Sequence, residues 1–158
     1  AIGGGAVFEV YLPKATREVS AIQPEGRPRP SKGRETILLV EDYEALRRTT
    51  ARVLQEAGFR VLEAGSAGEA LAILDRRNEH VELLLSDLVL PDLSGFELAE
   101  RAVHQLPHLV TVFISGYPEG VTPLRRPAGA TILEKPFAPE ALTFTVRQAL
   151  DRRHRSIG

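Results

Sequence analysis

The sequence has no cysteine, methionine or tryptophan among its 158 residues. The lack of cysteine excludes disulfides, thiolate metal sites, iron–sulfur clusters and cysteine nucleophiles, and it fits a reducing compartment. No apolar run approaches the roughly 18 residues of a membrane span, and the N-terminus lacks the pattern of a signal peptide. We therefore expect a cytoplasmic protein without membrane contact. Because translation begins with methionine, its absence indicates a processed chain or part of a longer one.

An excess of charge of either sign is also missing. Lysine and arginine number 20 and aspartate and glutamate 21, so the formal net charge is −1. A balance so close to zero gives no general attraction to nucleic acid or anionic lipid, and we expect no nucleic-acid partner. The chain is 43% hydrophobic and 26% charged, which is typical of a globular protein. Its length fits one domain with an appended segment.

The first 34 residues differ from the rest. Residues 1–13 contain three consecutive glycines and a short apolar strand that Pro13 ends. Residues 14–34 have no periodic apolar pattern and contain several prolines and basic residues. This composition predicts a solvated, semi-extended linker, and we favour that interpretation over a contact with an acidic partner.

After residue 35 the pattern alternates between strands and helices. Five apolar segments indicate strands at residues 37–40, 59–63, 81–86, 109–114 and 130–133. Strands that alternate with helices predict an α/β fold, with a parallel sheet covered on both faces.

The helices between these strands have recognisable ends. The first has an apolar stripe that stops at Gly58, and the next two begin with capping-box patterns, Ser66 with Glu69 and Ser94 with Glu97. Phe96, Ala99, Val103 and Leu106 form the apolar stripe of the third helix, and residues 139–150 form the last helix. Residues 117–129 are rich in proline and glycine, which predicts a short or irregular segment.

Polar residues follow four of the predicted strands. Glu41 and Asp42 follow the first strand, Asp87 the third, Ser115 the fourth and Lys135 the fifth. Ligands of open α/β sheets bind beyond these carboxyl ends. If the first and third strands are neighbours, three carboxylates converge, and a hard divalent cation such as Mg2+ relieves their repulsion.

Such a site suits phosphoryl transfer, in which catalysis is mostly positioning and charge neutralisation. Asp87 is then the nucleophile that forms an acyl phosphate. Asp42 holds the metal directly, and Glu41 acts as a second ligand or through a metal-bound water. Ser115 and Lys135 contact phosphoryl oxygens.

Each of these residues also has an ordinary interpretation. Glu41 and Asp42 can be acids at a helix N-terminus, Asp87 and Ser115 can belong to turns, and Lys135 can be a surface lysine. Their occurrence at four different strand ends favours a common site.

Four segments resemble the receiver domain of two-component response regulators. They read LLVEDYEALRR, LLLSDLVLPDLSGFEL, VFISGY and ILEKPFAPEAL, and the resemblance covers residues 35–152. It implies a flavodoxin-like doubly wound sheet of five parallel strands in the order 2-1-3-4-5. It also implies Mg2+ as cofactor and phosphorylation by a histidine kinase domain, in the same parent chain or another, or by a histidine phosphotransfer protein.

The resemblance implies a role for each site residue. Asp87 is the phosphoacceptor, and Glu41 and Asp42 are the acidic pair. Ser115 is the switch hydroxyl, and Lys135 is the lysine that the family pattern has at this position. The metal set is Glu41, Asp42, Asp87 and the backbone carbonyl of Val89.

Two further features follow from the same resemblance. Receivers of this pattern hold the bond between Lys135 and Pro136 in the cis form. Receivers also usually carry an aromatic residue three positions before the lysine, where this chain has Ile132. We therefore expect switching to appear in residues 115–129, with Tyr117 as the aromatic reporter.

The segment GGGAVFEVYLPKA resembles the last strand of a histidine-kinase ATPase domain. It implies the C-terminal part of a hybrid sensor histidine kinase, with a kinase remnant at residues 1–13, a linker at 14–34, a receiver at 35–152 and a tail at 153–158. The remnant is too short to bind ATP.

Two other functions remain open at this point. One is an Mg2+-dependent phosphatase with an aspartyl nucleophile, although such enzymes carry a second acid where this chain has Val89. The other is a protein-binding domain of the same fold that is never phosphorylated. A receiver catalyses its own phosphorylation but does not turn over an external substrate.

Overall fold

The computed structural model describes residues 34–76, 80–116 and 130–156. The predictions for residues 1–33 and 117–129 lie outside these ranges. The strands within them are β1 Thr36–Val40, β2 Arg60–Ala64, β3 Leu83–Asp87, β4 Val110–Ser115 and β5 Thr131–Glu134. The helices of the described ranges are α1 Glu44–Glu56, α2 Ala67–Leu74, α3 Gly95–Gln105 and α4 Pro139–Ser156.

The five strands form one parallel sheet in the order β2-β1-β3-β4-β5. This confirms the predicted flavodoxin-like strand order. β1 and β3 are direct neighbours, with Val40 opposite Ser86. The residues that follow β1 therefore lie next to Asp87 at the end of β3.

Each face of the sheet carries its own apolar cluster. Leu38, Leu84 and Phe113 point to one face, where α2 and α3 cover them. Ile37, Leu85 and other side chains point to the opposite face, where α1 and α4 cover them. Because the central strands are buried on both faces, they read as continuous apolar runs in the sequence. Full burial of one such side chain contributes about 1.5–3 kcal/mol, so these clusters hold the strand ends in place.

The helix ends agree in part with the predictions. Gly58 ends α1 with φ at 97°, a conformation that favours glycine. The capping box of Ser94 and Glu97 is present at α3. The box predicted at α2 is only half formed, because Ser66 accepts a bond from the Glu69 amide while the Glu69 carboxylate accepts from the Gly65 amide instead.

Several element boundaries differ from the prediction. Strands β2 to β5 begin one or two residues later than expected, and Phe59 is a core residue before β2 rather than its first residue. The last helix continues past Leu150 to Ser156, into the predicted tail, where Asp151 pairs with Arg147 one turn earlier.

The apolar stripe predicted for α3 is also partly wrong. Leu98, Ala99 and Ala102 are buried, whereas Val103 is 38% exposed. The stripe that faces the sheet is therefore displaced around the helix from the predicted one.

Candidate functional site

The structure brings the predicted site residues together at the carboxyl ends of β1, β3, β4 and β5. Carboxylate oxygens of Glu41, Asp42 and Asp87 all lie within 4.8 Å of one another. Glu41 and Asp87 are buried, and Asp42 is exposed. The predicted convergence of three carboxylates is therefore present.

Lys135 projects into the same site from the loop after β5. Its ammonium donates hydrogen bonds to Asp87 Oδ2 at 2.5 Å and to Glu41 Oε2 at 2.8 Å. Its backbone amide donates to the Ser115 carbonyl at 2.7 Å, which fixes the start of this loop on β4. The peptide bond between Lys135 and Pro136 is cis, as expected. Ser115 lies at the end of β4, as predicted, and is buried.

The charges of this site perturb one another. Burial raises the pKa of Glu41; the hydrogen bond from Lys135 opposes the rise without cancelling it, and the negative charge of Asp87 adds to it. Burial lowers the pKa of Lys135, but its hydrogen bonds to Asp87 and Glu41 outweigh burial, so that pKa is raised. One lysine thus leaves the three carboxylates incompletely balanced, which favours a further cation.

The backbone around Asp87 is held by short hydrogen bonds. The Val89 amide donates to Asp87 Oδ1 at 2.9 Å and orients the carboxylate. The buried Ser86 hydroxyl donates to the Asp87 carbonyl at 2.8 Å. The Val89 side chain is 79% exposed beside the site.

Gly95 is a residue of this site that the sequence analysis missed. A Cβ atom at this position would lie 2.2 Å from the Asp87 carbonyl oxygen, which no side chain can tolerate without movement. The Gly95 amide also donates to the Leu88 carbonyl at 3.0 Å. The start of α3 therefore packs directly on the backbone of Asp87. The sequence signal that could have identified Gly95 is a glycine directly after Ser94, the capping residue of α3.

Arg47 and Asp92 were missed as well. Arg47 Nη1 donates to the Glu41 carbonyl at 2.7 Å, and its Nε lies 3.7 Å from Glu63. The Asp92 carboxylate accepts bonds from the first two amides of α2. Both contacts support the loops that carry the acidic residues. The Asp92 contacts span 24 and 25 positions and so have no short-range sequence signal, whereas Arg47 reaches back six positions to Glu41 and also meets Glu63 on β2.

The three carboxylates fit a magnesium ion. They supply only oxygen donors, which Mg2+ prefers, and Asp42 is open to water that can complete an octahedron. Lys135 balances only part of the negative charge of these carboxylates, which also favours a bound cation. Asp42, Asp87 and Glu41 are the side chains that would hold the ion.

Ile132 stands where receivers usually have an aromatic ring. It is partly buried and packs against the cluster of Leu84 and Phe113. Whether phosphorylation rearranges residues 115–129 stays a prediction, since Tyr117 and the residues after it lie outside the described ranges.

No helix within the described ranges is both long enough and apolar enough to cross a membrane.

The sequence model of the response regulator receiver domain family matches residues 37–147. The chain belongs to the response regulator receiver family. The receiver is similar to a solved receiver domain protein (CheY-like) from Methanospirillum hungatei JF-1, with 32% identity, a TM-score of 0.71, and coverage of 78% of this chain and 99% of that one. This likeness agrees with the strand order and with the position of the site.

Two curated relatives from Brucella abortus (strain 2308) match the receiver. The response regulator receiver protein CpdR is 37% identical over 116 residues, which cover 72% of this chain and 95% of CpdR. The sensor kinase CckA is 33% identical over 161 residues, which cover 96% of this chain but only 17% of CckA. The chain thus spans about a sixth of the length of that kinase.

Proposed function

We propose that Asp87 of this receiver accepts a phosphoryl group from a phosphohistidine. A carboxylate oxygen of Asp87 forms a bond to phosphorus while the bond between phosphorus and the histidine nitrogen breaks. The leaving nitrogen keeps the electron pair of that bond, and Asp87 becomes an acyl phosphate. The contact of Lys135 with both Asp87 and Glu41 carries this proposal, because it places a fixed positive charge where the phosphoryl group arrives.

The neighbouring residues prepare Asp87 for this step. The Val89 amide donates a hydrogen bond to Oδ1 of Asp87 and so fixes this carboxylate oxygen. Lys135 bonds the other, Oδ2, and is placed to pair with a phosphoryl oxygen as the group arrives. Ser115, at the end of the adjacent strand β4, supplies a hydroxyl for a second phosphoryl oxygen.

Magnesium completes the proposed site. Asp42 and Asp87 would hold it with their side chains, the Val89 carbonyl would be a third ligand, and Glu41 would act directly or through water. A bound Mg2+ supplies positive charge that neutralises the phosphoryl oxygens. Metal removal is therefore expected to stop phosphoryl uptake.

The two alternative functions have less support. A phosphatase of the aspartyl type has its second acid two residues after the nucleophile, where this chain has the exposed Val89. A receiver that is never phosphorylated would not need the complete set of carboxylates and Lys135 that the site retains.

The experiment is incubation of the full chain with acetyl phosphate and Mg2+, followed by intact-mass analysis. We expect one phosphoryl adduct, none with EDTA and none in Asp87→Asn. Asp75→Asn is the matched control, since Asp75 is an exposed aspartate at the end of α2 that bonds only Gln105 among the contacts described for its side chain. Release of phosphate in many turnovers without an adduct would instead indicate a phosphatase.

We also propose that this receiver is the C-terminal part of a hybrid sensor histidine kinase. The match to CckA covers 96% of the chain, whereas the match to the single-domain CpdR covers 72%. The additional similarity therefore includes residues outside the receiver fold. The phosphodonor is then a histidine kinase domain, in the same parent chain or another, or a phosphotransfer protein, and the receiver is cytoplasmic. Transfer of labelled phosphate from a purified CckA-type kinase domain to the chain would test this.

A further inference from the structure

The loop between β3 and α3 is attached to the N-terminus of α2 by one side chain. Asp92 Oδ1 accepts a hydrogen bond from the Ala67 amide at 3.0 Å, and Asp92 Oδ2 accepts one from the Gly68 amide at 2.7 Å. Ala67 and Gly68 are the first two residues of α2, and amides at this point have no partner within a helix. Both carboxylate oxygens of Asp92 therefore connect the β3–α3 loop to α2.

The same loop carries the groups that surround the phosphoacceptor. Its residue Val89 donates its amide to Asp87 Oδ1 and lies opposite Ser94 in an isolated bridge. Leu88 and Leu90 bury the apolar side of the loop. Apolar burial is not directional, whereas two hydrogen bonds to a rigid helix end fix an orientation.

The helix does not depend on Asp92 alone for capping. The Ser66 side chain already accepts the Glu69 amide, so α2 has a cap from its own chain segment. The amides of Gly68 and Ala67 stabilise the charged form of the Asp92 carboxylate and hold its pKa below the usual value. A charged acceptor makes stronger hydrogen bonds than a neutral one.

We propose that Asp92 is a positioning residue of the metal and phosphoacceptor site, which fixes the β3–α3 loop to α2 so that the Val89 backbone faces Asp87 correctly. The proposal rests on the proposed function for its metal. Loss of this attachment lets the loop move, and the Val89 carbonyl is then no longer held where a ligand of Mg2+ is needed. Supporting residues behind metal ligands typically contribute about 10-fold or more to metal affinity.

The test compares three variants of the full chain: Asp92→Ala, Asp92→Asn and Ser66→Ala. The first removes both bonds, the second retains one acceptor oxygen, and the third weakens the same helix end without touching the loop. One measurement is the hydrogen-exchange rate of the Val89 amide, followed by NMR in EDTA. The other is the dissociation constant for Mg2+ from calorimetric titration.

We expect Asp92→Ala to accelerate exchange at Val89 and to raise the Mg2+ dissociation constant about tenfold. Asp92→Asn should be intermediate, and it carries the test if the alanine variant does not fold. Ser66→Ala should lower the melting temperature and leave the Mg2+ constant unchanged.

Two results would overturn the proposal. One is an unchanged Val89 exchange rate and Mg2+ constant in Asp92→Ala, and the other is an equal rise of that constant in Ser66→Ala. If the unmodified chain does not bind Mg2+ at all, the proposed function fails, and the metal-free exchange measurement still decides whether Asp92 positions the loop.

Discussion

The ammonium nitrogen of Lys135 lies 2.5 Å from Oδ2 of Asp87, although the two residues are 48 positions apart in the chain. The strand order explains the contact, because β4 separates β3 from β5 and the two loops meet above it. The same ammonium bonds Glu41, so one lysine partly neutralises the charge of two buried carboxylates. Asp87, the proposed phosphoacceptor, thus has a cationic partner before any phosphoryl group arrives.

Replacement of Lys135 should lower the stability of the fold, because two buried acids then lack a positive partner. Lys135→Met leaves Glu41 and Asp87 without their common partner, so we expect the free energy of unfolding in EDTA to fall by about 3 kcal/mol. Mg2+ should restore more stability to this variant than to the unmodified chain, since it neutralises the same carboxylates. Urea titrations with and without Mg2+ measure both effects, with Arg48→Gln, in an exposed ion pair, as control. Equal stability of Lys135→Met and the parent in EDTA would contradict this account.

Gly95 should tolerate no larger residue. In Gly95→Ala the new methyl would lie 2.2 Å from the Asp87 carbonyl oxygen, so the backbone of Asp87 or α3 must shift. We expect a loss of about 1–3 kcal/mol in stability, as for other overpacked sites, together with slower phosphoryl uptake. Gly116→Ala is the matched control, because a Cβ there meets nothing within 4 Å. Similar melting temperatures for both variants would show that the close approach has no consequence.

The ion pair of Glu35 and Arg147 should make stability depend on pH. Arg147 Nη2 lies 2.7 Å from Glu35 Oε1, without the alignment of a hydrogen bond, and its guanidinium lies over the Phe59 ring. Burial alone would raise the pKa of Glu35, but Arg147 and the backbone amides hold it below its ordinary value of 4.5.

An acid whose pKa is lower in the folded than in the unfolded state contributes stability at pH values above its unfolded-state pKa. This contribution is lost as the pH falls through the folded-state pKa. We therefore expect Glu35→Gln to cost about 1 kcal/mol at neutral pH and progressively less below pH 4.5. Glu56→Gln, which removes an exposed pair with Arg52, should cost little at either pH. A cost of Glu35→Gln that grows in acid would refute the assignment.

Removal of residues 1–33 should leave the receiver intact. Within the described ranges the first strand begins at Thr36, and the described members of both apolar clusters come after it. We expect an unchanged melting temperature and unchanged phosphoryl uptake by the truncated chain. A large fall in melting temperature would show that the N-terminal segment is part of the fold.

The five strands and the four strand-end positions could be predicted because they depend on local patterns. A doubly buried strand is continuously apolar, and a parallel sheet collects its polar strand ends at one edge. Glu41, Asp87 and Lys135 therefore identified the site from sequence. The family resemblance supplied the order of the strands and the cis bond at Pro136, which composition and periodicity do not contain.

The supporting contacts could not be predicted in this way. Asp92 reaches amides of α2 that are 24 and 25 positions away, and Arg47 contacts carbonyls of the preceding loop. Val103 follows the expected helical period but lies on the edge of the buried stripe. Such details depend on how the helices are rotated on the sheet, and this is fixed by packing rather than by a short motif.

The most direct measurement is the identification of the phosphorylated residue. The full chain is treated with acetyl phosphate and Mg2+, and borohydride then reduces any aspartyl phosphate to homoserine, which peptide mass spectrometry locates. The account predicts homoserine at position 87 alone, and none there when Mg2+ is omitted. Homoserine at Asp42 or another aspartate, with position 87 unmodified, would contradict it.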